Sequence, residues 1–115
     1  MSLRTDATEA DYTKAKQDGT LKPLVDEEAL REWKYWKLIK NRFPHDRHHV
    51  ESDLLVLKEQ GLTFFTLTAD QYAELRLIYT EIYKEYDYMK INFPSVISVP
   101  EFVHVHLLKL KEEYK

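Results

Sequence analysis

Phe102-Val103-His104-Val105-His106-Leu107-Leu108 is the stretch on which the reading of the fold turns. It is rich in valine and leucine, and its polar residues alternate with apolar ones, the period-two signature of a strand. Side chains alternate across a strand, so Phe102, His104, His106 and Leu108 share one face and Val103, Val105 and Leu107 the other. The valine face is expected to be core. The two imidazoles then stand roughly 6–7 Å apart along the backbone, close enough to address one phosphate or one metal ion. Imidazole titrates near neutrality, which suits nucleophilic and acid/base work. The competing reading is two polar residues on the wetter face of an edge strand.

Working backwards, Ser95 to Pro100 reads as a loop and Tyr88 to Asn92 as a strand ended by Phe93-Pro94. Ahead of that lies the strongest local signal. Thr68 and Gln71 form a capping box, with Leu67 and Tyr72 at the staple positions either side. Tyr72, Leu75, Ile78, Tyr79, Ile82, Tyr83 and Tyr86 then recur at helical spacing, predicting one long amphipathic helix from residue 69 to about 86. Its tyrosines are expected to pack in the core with their hydroxyls at the rim, rather than to form a stacking surface for bases.

Asp53 to Lys58 holds the compact apolar run Leu54-Leu55-Val56-Leu57, expected as a strand buried on both faces, and Thr63 to Thr66 as a short further strand or bridge. Trp36 to Asn41 suits a strand ended by Phe43-Pro44, and the polar residues His45 to Ser52 a loop. Asp26 is expected to cap a short helix that buries Leu30 and Trp33. Residues 1 to 22 are polar and bury too little to offset their own ordering, so they read as a flexible or loosely docked N-terminal arm ahead of a single domain over residues 23 to 115. The fold class expected is α+β, a largely antiparallel sheet with one principal helix packed on it.

Composition narrows the function. A chain of 115 residues at net charge -3 has no global basic field, which argues against DNA or RNA as a partner. The longest purely apolar run is Leu54 to Leu57, too short to span a bilayer, and no apolar leader opens the chain. Cysteine is absent, which removes thiolate chemistry and disulfides and fits a cytoplasmic protein.

The final strand resembles the signature of the histidine triad (HIT) superfamily, His-φ-His-φ-His-φ-φ with φ apolar. Ser98-Val99-Pro100 resembles the Ser-Val-Pro that often precedes the triad, with Glu101 inserted. Leu67-Thr68 and the following helix resemble the family's long-helix element, and Asn92 stands where the family has a strand-end asparagine. The chain departs from the pattern in four places, one being the strand near Asp53, which lacks the histidine that family members often carry there. Phe102 replaces the first histidine, Lys58-Glu59 stand where Pro-Lys is usual, and the glycines between the asparagine and the triad are missing. The resemblance implies a HIT-like fold, usually homodimeric, that binds a nucleotide or another phosphorylated small molecule without a cofactor. It assigns His104 as the nucleophile toward an α-phosphate, His106 as stabiliser of the phosphoryl oxygens, and Ser98 and Asn92 as substrate-binding groups. Phe102 cannot orient the second ring nitrogen of His104, so a backbone carbonyl is expected to do so.

Two other readings stand beside this one. A HIT-like fold with a degraded motif suits a non-catalytic binding or interaction module. His45, His48 and His49, with His104 and His106, could instead ligate a metal ion, although no acidic residue sits at a convincing spacing and a solvated loop is the simpler expectation.

Overall fold

Five strands form one open antiparallel sheet in the computed structural model, which describes residues 3–93 and 102–115. The strands are β1 (Ala29–Glu32), β2 (Trp36–Lys40), β3 (His49–Leu57), β4 (Tyr88–Lys90) and β5 (His104–Leu110), in spatial order β1-β2-β3-β5-β4. Two helices accompany them, α1 (Asp6–Asp18) and α2 (Ala69–Ile82). The class is the α+β expected. The principal helix expected from the sequence, α2, is joined by α1 in the segment expected to be an arm, and α1 carries almost no apolar face: of its thirteen residues only Ala15 is buried. Capping holds it instead. The Thr5 hydroxyl accepts from Thr8 N–H, and Gly19 closes the far end in the left-handed conformation at φ 70°, its N–H returning to Ala15. None of the helices among the described residues is long and apolar enough to cross a membrane.

The register explains the core. Leu38 pairs with Leu55 and Leu55 with Val105, so three apolar side chains stand in a row on one face. Ile78 and Ile82 of α2 and Leu67 before it close over that row, together with Trp36, Leu57, Val103 and Leu107. The capping box forms as predicted, with Gln71 N–H donating to Thr68 Oγ1 (3.1 Å) and Thr68 N–H to Gln71 Oε1 (2.8 Å). The helix start is stitched to β2 by Glu74, whose carboxylate accepts from the Tyr35 and Trp36 amides, and by Trp36 Nε1, which donates to Gln71 O.

Several local expectations change. The helix ends at Ile82, because the next residues are drawn to the sheet edge: Tyr86 Oη donates to the buried Asp53 carboxylate at 2.5 Å, and Asp87 N–H to Leu108 O. Tyr72, Tyr79 and Tyr83 are about half exposed and so are not core. The helix expected after Asp26 is a single 3-10 turn, Leu24–Asp26, followed by β1. Leu30 is half exposed there; a helix so short cannot recover its nucleation cost, whereas β2 offers an open row of backbone partners. Thr63 to Thr66 is a turn, tied by the Thr63 and Thr66 hydroxyls, which compete with strand pairing. The loop expected over residues 45 to 52 is shorter, since β3 begins at His49 opposite Leu110.

Candidate functional site

The second face of the sheet carries the histidines. Ile39 pairs with Leu54 and Leu54 with His106, which places an imidazole in the row opposite the α2 face. Phe102 packs with Ile39, Leu54 and Val56 on this side, and Leu24 and Val25 lie over them. The strand is not an edge strand: β5 runs between β3 and β4. Nor is its histidine face wet. His104 and His106 are 5% and 4% exposed: His45 stacks on His106, and the segment preceding β1 lies over this side of the sheet.

That covering segment is tied down by polar contacts. Arg4 Nε donates to Phe43 O, Thr5 N–H and Thr8 Oγ1 donate to the Asp46 carboxylate at 2.8 and 2.6 Å, and Arg47 N–H donates to Leu3 O. Tyr12 meets Phe43 edge to face, and Arg42 reaches Thr20 O. Between this segment and the sheet lies a cavity of about 450 Å³, inside the range of small-molecule sites. Its apolar wall includes Tyr12, Leu24, Ile39, Phe43, Leu54 and Phe102, and both His104 and His106 open into it.

The two imidazoles are held differently. His104 Nδ1 lies 3.0 Å from Phe102 O, so a backbone carbonyl orients the ring as expected, and it comes from the very residue that displaces a histidine. With Nδ1–H donating there, Nε2 is the lone-pair nitrogen left for the cavity. His106 Nε2 makes a long contact, 3.4 Å, with the Asn92 side-chain amide, and its Nδ1 is buried with no hydrogen-bond partner among the described residues.

A third imidazole completes the cluster. His45 stacks on His106 with ring centroids 4.6 Å apart, while His104 meets His106 edge-on at 5.3 Å. Behind His45, Lys90 Nζ lies 3.4 Å from its Nδ1. His49 holds the loop from below, with Nδ1 donating to His45 O at 2.7 Å and Nε2 accepting from the Tyr88 hydroxyl. His48 takes no part; its ring packs against Tyr114. Burial pushes His106 down to about 2, reinforced by the neighbouring His45, His104, Lys90 and Arg4. Burial, with Lys90, Arg4 and His49, pushes His45 down to about 4. His104 is lowered as well, again by burial, against the opposing pull of the Phe102 carbonyl. All three imidazoles are therefore neutral at physiological pH.

Of the residues singled out in the sequence, His104, His106 and Asn92 converge, and Ser98 lies outside the described residues. The contact between His45 and His106 is ring stacking, not convergence of nitrogens, and among the described residues no three His, Cys, Asp or Glu side chains are placed to hold a metal ion. Sequence reasoning missed Lys90 and the basic residues that the arm brings to the cavity. Neither follows a period along the chain, because both arrive through tertiary packing. Compared with known proteins, the chain matches no family model, no curated protein and no solved structure.

Proposed function

We propose that the chain is a HIT-like nucleotide-binding protein that cleaves a phosphoryl bond of its ligand through His104. The observation that carries this reading is the shared cavity: two neutral, buried imidazoles open into it, one of them with Nδ1 held by a backbone carbonyl. In this mechanism the lone pair of His104 Nε2 attacks phosphorus. A nitrogen–phosphorus bond forms, the bond to the leaving oxygen (in a phosphoramidate, the leaving nitrogen) breaks, and that atom departs with the electron pair and takes a proton from water. The ring becomes cationic, and the Phe102 carbonyl stabilises it through Nδ1–H. A second water then attacks phosphorus, the nitrogen–phosphorus bond breaks with its electron pair returning to Nε2, and the proton lost by this water neutralises the hydroxide left by the first, so the ring is neutral again. His106 and Asn92 act as hydrogen-bond donors to the phosphoryl oxygens, where charge stabilisation matters most. The apolar wall takes the base.

The homodimer implied by the resemblance is part of the same proposal. β4 is a three-residue edge strand, and Tyr88, Met89, Ile91 and Phe93 on or beside it are all more than a third exposed. A surface of that kind suits a second copy.

The test is turnover of a nucleoside phosphoramidate and of nucleotides by the wild type and His104→Ala, read by phosphate or nucleotide release. A loss of about a thousand-fold or more, with the melting temperature kept, is expected when the nucleophile is removed. Equal turnover in the variant sinks the assignment. Nucleotide binding without turnover in the wild type would replace it with the non-catalytic binding module.

A further inference from the structure

The cavity is basic, although the chain is not. Among the described residues, Arg4, Lys16, Lys22, Lys40 and Arg42 line it against one carboxylate, Glu27, in a chain of net charge -3. Three of these cations come from the segment ahead of β1. Arg4 and Arg42 spend hydrogen bonds on Phe43 O and Thr20 O. The ammonium groups of Lys16, Lys22 and Lys40, by contrast, make no hydrogen bond or ion pair among the described residues. Positive charge gathered on one concave surface with low-dielectric walls focuses the field on an anion.

Charge matching then bears on the ligand. The imidazoles that would receive one phosphate are neutral and give it hydrogen bonds without charge; Arg4 and Lys90, which act electrostatically on His106 and His45, are the cations beside it, and Lys16 and Lys22 are left for a second anion. The volume allows more: 450 Å³ is larger than a nucleoside monophosphate, base included, and leaves room for a second phosphate.

We propose that Lys16 and Lys22 form a second anion-binding pole on the arm side of the cavity, and that the ligand is a nucleotide bearing two phosphate groups. The proposal rests on the nucleotide reading of the preceding subsection. The first phosphate faces His104 and His106, the base lies on the apolar wall, and the second phosphate meets the lysines. The N-terminal segment is thereby a specificity element of the site and more than its cover.

Calorimetric titration of the full chain with adenosine and guanosine 5′-monophosphates, 5′-diphosphates and 3′,5′-bisphosphates tests this. At least one doubly phosphorylated nucleotide is expected to bind about ten-fold or more tighter than the matching monophosphate, and the diphosphate and bisphosphate arms tell where the second group sits. In Lys16→Ala/Lys22→Ala, whose substituted side chains are exposed, that ratio falls toward one. Lys34→Ala/Lys84→Ala, with the same change of net charge outside the cavity, keeps it. Monophosphates binding as tightly as their doubly phosphorylated counterparts overturn the second pole while leaving the nucleotide reading intact. A ratio that survives in Lys16→Ala/Lys22→Ala overturns it too. Binding of no nucleotide at all overturns the nucleotide reading and this proposal together.

Discussion

The two faces of one sheet are built on opposite principles. Against α2 the sheet is largely apolar: Leu55, Leu57, Val105 and Ile78 are wholly buried, and the polar groups there serve the helix cap, the joint with β2 and, through the buried Asp53, the anchoring of Tyr86 after the helix. Against the N-terminal segment it leaves a cavity, buries three imidazoles at a cost, and is closed mostly by hydrogen bonds. The α2 face stabilises the domain. The other face uses that stability to hold groups that would not be buried for stability alone.

The sharpest way to break this contrast is to damage the apolar face. Ile78 is wholly buried between α2 and the sheet. Ile78→Ala removes its burial and leaves a cavity that a packed sheet cannot fill, a loss of about 2–5 kcal/mol. Denaturant titration should show that loss, while nucleotide affinity at temperatures where the variant is folded stays within about two-fold of wild type, or roughly 0.4 kcal/mol. A matching fall in affinity would mean that the two faces are not separable.

The second test sets the histidine face against pH. The His45 folded-state value of about 4 lies below its unfolded value of 6.5, so the unfolded chain binds the proton first. Stability is therefore greatest above pH 6.5 and is lost as pH falls from 6.5 toward 4, by on the order of 3 kcal/mol at pH 4 for a shift of this size. Lys90, Arg4 and His49 push in this direction and Asp46 opposes them. His45→Phe keeps a flat ring against His106 and cannot titrate. Its denaturation midpoint should fall less steeply than that of wild type over the same window, and identical slopes would remove His45 as the source.

What was legible in the sequence follows the same division. Local signals gave the apolar face: the Thr68–Gln71 capping box, the Leu54 to Leu57 run and the alternation through Val103, Val105 and Leu107 all stand where they were expected. His104 and His106 were placed on one face by the same alternation, and the Phe102 carbonyl supplies the bond anticipated for His104. The rest of the site is nonlocal. His45 stacks on a ring 61 positions away in sequence, and Lys90 and the arm lysines reach it through packing that no period encodes. α1 was illegible because caps and side-chain bonds, rather than a buried stripe, hold it. The tyrosines of α2 misled for the converse reason. Helical spacing tells which residues share a stripe, but the sheet is wide enough to cover only Ile78 and Ile82 fully, and Tyr79 and Tyr83 stack on each other outside it.

The smallest effect tests whether the arm closes the cavity through its polar straps. Asp46 is the principal one. Burial alone would raise its carboxyl, but bonds from the Thr5 amide and the Thr8 and Thr5 hydroxyls outweigh that and hold it below the usual carboxylate range. Asp46→Asn preserves the shape, removes the charge and leaves one acceptor oxygen where there were two. The charge-assisted part of those bonds is worth on the order of 1–2 kcal/mol. Because α1 buries only Ala15, this loss should fall on the attachment of the arm and not on global unfolding. Hydrogen exchange across residues 6–18 should therefore accelerate about ten-fold, with the melting temperature nearly unchanged and the affinity for doubly phosphorylated nucleotides reduced more than that for monophosphates. Unchanged exchange in α1 would show that the arm is held by its apolar contacts, Tyr12 on Phe43 and Leu24 and Val25 on the sheet, and the contrast between a packed face and a strapped one would fail.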